Sequence, residues 1–193
     1  MKSKFSEALN LFQNGKLNKA KDICEEILKQ ETNNSQVYNL YAFTLYYLEK
    51  FDAAVECWSK AIKINPNYIE AYNGRGNAFI KLHNLDEAII NFNQAIKINP
   101  NYFEAYNNLG NAFIKLQKFD EAIIDFNQAI KINPNYFEAY NNLGNAFINL
   151  EKFDEAIINF DQVIKIKSNY AQAYHGKAYA LMKSLKFEVK TQI

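Results

Sequence analysis

The sequence predicts an all-α protein, an α-solenoid of stacked helix pairs, and three observations carry that prediction. The sixteen letters NPNYFEAYNNLGNAFI occupy residues 99–114 and recur at 133–148, so one stretch is written twice at a spacing of 34. The same period brings Pro66, Pro100 and Pro134 into register, and with them Tyr38, Tyr72, Tyr106, Tyr140 and Tyr174. Ala20, Ala54, Ala88, Ala122 and Ala156 also fall on it. Within a period the apolar residues follow the i, i+3, i+4, i+7 rule of a helix face, twice. A repeat of this length, held along a chain, signals a solenoid rather than one globular core.

Counted from Met1, the units are 1–34, 35–68, 69–102, 103–136 and 137–170, followed by a shortened unit over 171–193. Unit 103–136 shows how each is built. Tyr106, Leu109, Gly110 and Phe113 form one face of a first helix. The stretch Lys115-Leu116-Gln117-Lys118 is a short turn. Phe119, Ala122, Ile123, Phe126, Ala129 and Ile130 form one face of a second helix. Asp120 and Glu121 lie near its start, where acids suit the helix dipole. Asn133-Pro134 ends it, because proline disfavours helical geometry in the residue before it. Gly110 and Ala122 let two helix backbones approach, and Tyr106, Phe113 and Phe126 fill the space around them. One hairpin cannot cover its own apolar faces, so neighbours must stack. Trp58, standing where later units have Phe, reads as core in the same way. In the shortened unit a helix runs from Ala171 to about Lys183, with Tyr174, Ala178 and Leu181 on one face. The tail Ser184–Ile193 loses the pattern after Phe187. It reads as a frayed or short helix, or as the edge of a longer parent protein.

Composition narrows the function. The chain has 193 residues, 49% of them hydrophobic, and a net charge of +1, enough apolar material for a core and too little positive charge for a dedicated nucleic-acid binder. No apolar run reaches the ~18 residues that span a bilayer, and no secretory signal follows Met1. Cys24 and Cys57 lack ligand spacing and point to a reducing, cytoplasmic setting, with both thiols buried on second helices. No metal site and no cofactor are expected. No phosphate-binding loop, nucleophile elbow or zinc helix motif is present. His83 falls in an inter-helix turn and His175 on the last helix, far apart, and the paired acids recur by the repeat rule, so no enzyme is expected.

The run Tyr106-x-x-Leu109-Gly110-x-x-Phe113, followed by Ala122, Phe126, Ala129 and Pro134, resembles the tetratricopeptide repeat, and the resemblance covers nearly the whole chain. Departures are local. Arg75 replaces a Leu in the third unit and Ser168 a Pro in the fifth. The first unit carries Lys4, Glu7 and Thr32 in place of aromatic, Leu and Pro, yet Ala8, Leu11, Gly15, Ala20 and Ile27 keep its phase. A polar, divergent first unit suits an end cap, and the resemblance implies a capping role for the last helix.

The resemblance implies a right-handed superhelix whose first helices line a concave groove that binds an extended peptide or partner segment. The residues off the packing stripe would face it: Asn73, Asn77, Ile80 and Lys81; Asn107, Asn108, Asn111, Ile114 and Lys115; Asn141, Asn142, Asn145 and Ile148. Asparagine carries a donor and an acceptor on one planar group and can satisfy both groups of a peptide bond. Some superhelical members of the family use such an asparagine ladder, which implies three series here: 73/107/141, 108/142 and 77/111/145. The same asparagines are equally read as soluble scaffold. A clamp for chaperone C-termini does not carry over, because Asn and Glu stand at its Lys places. The partner is therefore expected to be a protein or peptide, with no nucleic acid and no membrane. The rival function is structural: a homo-oligomer formed end to end through the terminal helices, or one part of a larger repeat protein.

Overall fold

The computed structural model describes residues 2–191, with side chains from Lys4 to Leu185. It divides after Pro100 into two compact units. The first holds α1 (Lys2–Gln13), α2 (Leu17–Gln30), α3 (Ser35–Tyr47), α4 (Phe51–Ile64), α5 (Ile69–Lys81) and α6 (Leu85–Ile98). The second holds α7 (Phe103–Lys115), α8 (Phe119–Ile132), α9 (Phe137–Asn149), α10 (Phe153–Ile166) and α11 (Ala171–Thr191). No strand occurs among the described residues. In each unit successive helices pack as antiparallel pairs, and each pair packs on the next. The last helix runs past the expected end near Lys183 to Thr191, so the pattern lost after Phe187 does not mark a helix end; Gln192 and Ile193 of that tail lie outside the described residues.

The pairs close because a glycine or alanine meets an aromatic ring. A Cβ placed on Gly110 would lie 2.6 Å from Cε1 of Phe126, well inside contact distance. Phe126 is fully buried, as are Phe92, Phe160 and Trp58 in the same register. Ala20, Ala54, Ala88, Ala122 and Ala156 are completely enclosed. Their methyl groups set the distance between helix axes, and the rings fill the gaps left around them.

The inter-helix turn has one backbone requirement. Glu49, His83, Gln117 and Glu151 all adopt φ between 57° and 59°, and Gly15 adopts 70° at the same register. Each sits just past a helix, where a left-handed residue lets the chain reverse. After α7 the Lys118 N–H then donates to the Phe113 carbonyl at 2.9 Å, and after α1 the Lys16 N–H donates to Leu11 in the same way. This six-to-one bond satisfies a carbonyl the helix end would leave open. Only the first repeat uses glycine there. The others hold an L side chain in a conformation that costs roughly 1–2 kcal/mol.

Arg75, the departure at a Leu position, is accommodated by polar partners. Its Nε donates to Asn91 Oδ1 at 2.8 Å and its Nη1 to Ser59 Oγ at 2.9 Å. Asn91 is 1% exposed and also donates to the Glu87 carbonyl, so the buried amide is satisfied. Two other first helices reach back at the register of Arg75 and Ser59: Tyr41 donates to Glu25 at 2.6 Å, and Lys177 to Asp161 at 2.6 Å. In α7 that register is Leu109, which is buried, and the residue in the place of Asn91 is Asp125. Where the third repeat has an arginine and an asparagine, the fourth has a leucine and an acid. Burial pushes the Asp125 carboxyl up to about 7.

Three outcomes follow from this packing. Gly110→Ala lowers stability by about 1–3 kcal/mol through overpacking against Phe126, although alanine favours helix, and chemical denaturation checks it. Gln117→Gly raises stability by about 1 kcal/mol, because the left-handed turn no longer carries a Cβ. Asp125→Asn restores the residue type found at Asn91 and Asn159. Because the folded carboxyl titrates above its ordinary value near 3.9, the destabilisation is complete above about pH 7 and fades as the pH falls toward ~4. The variant therefore melts at a higher temperature than the parent at pH 8 and at nearly the same temperature near pH 4.

Candidate functional site

The side chains expected to meet a ligand stand on the first helices α5, α7 and α9, and the structure separates them into groups. Asn107 is 5% exposed, and its Oδ1 accepts from Asn142 Nδ2 at 2.9 Å. One member of the first asparagine series and one of the second are thus joined to each other across α7 and α9. The carboxamide that could read a peptide bond here also links two repeats. Asn73, Asn108, Asn77 and Asn111 are half-buried, while Asn145 is exposed. Ile80, Ile114 and Ile148 are half-buried, and Lys81 and Lys115 are exposed. In the second unit, Asn111 and Asn145 share one register on neighbouring first helices.

The repeat register explains a further asparagine. Asn141 stands one repeat along from Asn107, and the residue one repeat along from Asn142 is Gly176. A glycine has no amide to offer. Asn141 Oδ1 is buried with no hydrogen-bond partner among the described residues. In the first unit the same place is Asn39, and Gly74 is the residue in the Gly176 register. There Trp58 Nε1 donates to Asn39 Oδ1 at 2.9 Å, a role the Phe160 ring cannot play for Asn141.

The charged residues near these helices are few. Glu104 Oε2 is buried without a hydrogen-bond partner among the described residues. Burial raises the Tyr136 phenol to about 12, and the negative charges of Glu138 and Glu104 add to that. Burial pushes the Cys24 thiol up to about 12 and the Cys57 thiol up to about 11. Both are therefore protonated at neutral pH and poor nucleophiles. Sequence reasoning placed these cysteines in the core. It missed the Asn107–Asn142 bond, for which the only signal is that adjacent asparagines recur in both copies of the duplicated stretch. No helix among the described residues is long and apolar enough to cross a membrane.

The comparisons agree with this architecture. The TPR repeat model matches residues 44–83, 76–117 and 110–151, and the Tetratricopeptide repeat model matches 137–170. No curated protein sequence matches the chain. Among solved structures, MamA is similar at 24% identity and a TM-score of 0.75, over 86% of this chain and 96% of that one. YrrB, a TPR protein with an unusual peptide-binding site, is similar at 20% identity and a TM-score of 0.71, over 91% and 90%. A thermophilic TPR protein of Thermus thermophilus is similar at 19% identity and a TM-score of 0.78, over 94% and 98%. At these identities the likeness concerns the fold. The family models cover well over half of the residues, and with the helix pairs, the glycine–aromatic contacts and the period of 34 they place the chain in the tetratricopeptide repeat family, as an all-α solenoid of stacked helix–turn–helix units.

Proposed function

We propose that the chain is a non-enzymatic protein-interaction scaffold of the cytoplasm that holds an extended peptide or partner segment against its first helices. The observation that carries this is the shared register of Asn111 on α7 and Asn145 on α9. They stand at one register on neighbouring helices, one half-buried and one exposed, beside a pair of asparagines already tied to each other. The Asn107–Asn142 bond ties the two helices one turn away, which favours a regular spacing of the Asn111 and Asn145 amides. Such spacing suits the repeated donors and acceptors of an extended backbone. Ile114 and Ile148, one turn further along, add apolar contact, and Lys115 adds a positive charge at the rim. Each peptide hydrogen bond contributes about 1 kcal/mol net, so binding through two or three rungs is weak and reads backbone more than sequence. Asn77, Ile80 and Lys81 present the same set on α5.

A second reading is supported by α11. Tyr174, Leu181 and Leu185 are 49%, 43% and 62% exposed. In α7 and α9 the counterparts of Tyr174 and Leu181 are half-buried beneath the second helix of their own pair. End-to-end association through this face gives a mass that rises with concentration, which light scattering after size exclusion reads directly.

The groove reading is tested with the double variant Asn111→Ala, Asn145→Ala. A partner captured by the parent protein binds the variant about tenfold or more weakly, while helicity and melting temperature stay unchanged. Equal affinity for the same partner overturns the role of these two amides. Asn107→Ala acts differently: it lowers the melting temperature, because it removes the link to Asn142.

A further inference from the structure

One aromatic pair recurs in the second unit and is left half-made in the first. Phe103 opens α7, and its ring meets Tyr136, the residue that precedes α9, at 4.8 Å between centroids and 67° between planes. Phe137 opens α9 and meets Tyr170, which precedes α11, at 5.0 Å and 67°. The pair at the same register in the first unit is Ser35, which opens α3, and Tyr68, which precedes α5. Ser35 has no ring. A cleft of about 520 Å³ opens at this point, lined by Ser35, Tyr68, Gln36, Asn65, Asn67 and Glu70 with the Asn33–Asn34 turn. Tyr68 forms one wall and is itself half-buried.

We infer that this cleft is a binding site for an aromatic side chain, a tyrosine, presented by a peptide of a partner protein. The internal repeat shows what fits. Twice in this chain a ring stands edge-on to the counterpart of Tyr68, in the geometry aromatic pairs prefer. A ring entering the cleft takes the place that Phe103 and Phe137 occupy. The walls say what else the guest carries. Asn33, Asn65, Asn67 and Gln36 supply carboxamides, each with a donor and an acceptor, and Glu70 supplies a carboxylate. Asn34 Oδ1 is already engaged by the Val37 N–H at 3.1 Å, and Asn65 Oδ1 by the Asn67 N–H at 3.2 Å, so these turns are built before a ligand arrives. Polar walls around one ring suit a phenol with a peptide backbone attached better than a bare hydrocarbon. The site uses none of the asparagines on α7 and α9 and is independent of the groove reading.

The test is a titration of the whole nitrogen-15-labelled chain, followed by amide chemical shifts. The probes are N-acetyl-tyrosinamide, N-acetyl-leucinamide and p-cresol. The expected result is saturable, millimolar binding of the tyrosinamide, with shifts centred on the amides of Asn33, Ser35, Asn67 and Tyr68. Leucinamide gives none, and p-cresol binds more weakly. Ser35→Phe supplies the missing ring from within and abolishes the shifts; Tyr68→Leu removes the wall and abolishes them too. Asn111→Ala with Asn145→Ala titrates like the parent, which separates this site from the other. The inference is overturned if no saturable shift appears, if leucinamide moves the same amides, or if Ser35→Phe binds as the parent does. Tighter binding of p-cresol than of the tyrosinamide overturns the peptide as the source of the ring.

Discussion

Everything in this chain depends on how closely two helix backbones can approach. A ring at Phe126 lies where a Cβ on Gly110 would have to be, and the enclosed Ala122 sits a turn before that ring. A methyl group at Gly110 would have to displace that ring, which loosens the packing between the two helices. The stacking of pairs then weakens, because each pair presents its outer face only when its inner face is closed. Burial of rings against small residues gives the dispersion and solvent-exclusion terms that hold the array. The polar links run between these contacts. Tyr41–Glu25, Arg75–Ser59 and Lys177–Asp161 tie successive helices in the register where Leu109 and Leu143 are simply buried.

The turn imposes the second constraint, and it conflicts with sequence composition. Four residues at one register adopt left-handed geometry, and none of the four is a glycine. The turn is retained because its bonds and the closing helix pair over-determine it. The helix that follows is also weakly capped. Lys16, Lys50, Lys118 and Lys152 precede second helices without a side-chain bond, whereas Asn84 accepts from the Glu87 N–H at 3.3 Å. Packing, rather than local preference, therefore fixes where these helices begin.

Much of this was legible in the sequence, for physical reasons that differ by residue. Gly110, Ala122 and Phe126 could be read because the helix period and the repeat period both require them. Trp58 could be read because it stands in the Phe126 register. The left-handed turn could not, since Glu49, His83, Gln117 and Glu151 carry no backbone signature and only Gly15 hints at it. The raised carboxyl of Asp125 could not be read either, since it comes from how far the packing desolvates that position. The division after Pro100 falls within the loop that joins two repeats and has no mark in the letters. The asparagines illustrate the limit most clearly: their type and period are plain, but whether an amide faces a ligand or a neighbouring repeat depends on the residue one repeat away.

That dependence answers why identical letters need not do identical work. Asn107 and Asn141 come from the same sixteen-letter stretch. Asn107 accepts from the amide of Asn142 in the following repeat; the residue in that place for Asn141 is Gly176, and the Asn141 oxygen is left buried without a donor among the described residues. At Asn39 a third arrangement appears, in which Trp58 supplies the N–H that the glycine at 74 does not. A buried acceptor without a donor costs roughly 1–3 kcal/mol, and the three positions show that a repeat can meet that need from the following repeat, from its own second helix, or not at all. The repeat is thus a unit of packing and of backbone bonding but not of side-chain hydrogen bonding. Its polar groups are completed by whatever stands next to them, and duplicating the letters without duplicating the neighbour changes what each asparagine is free to do.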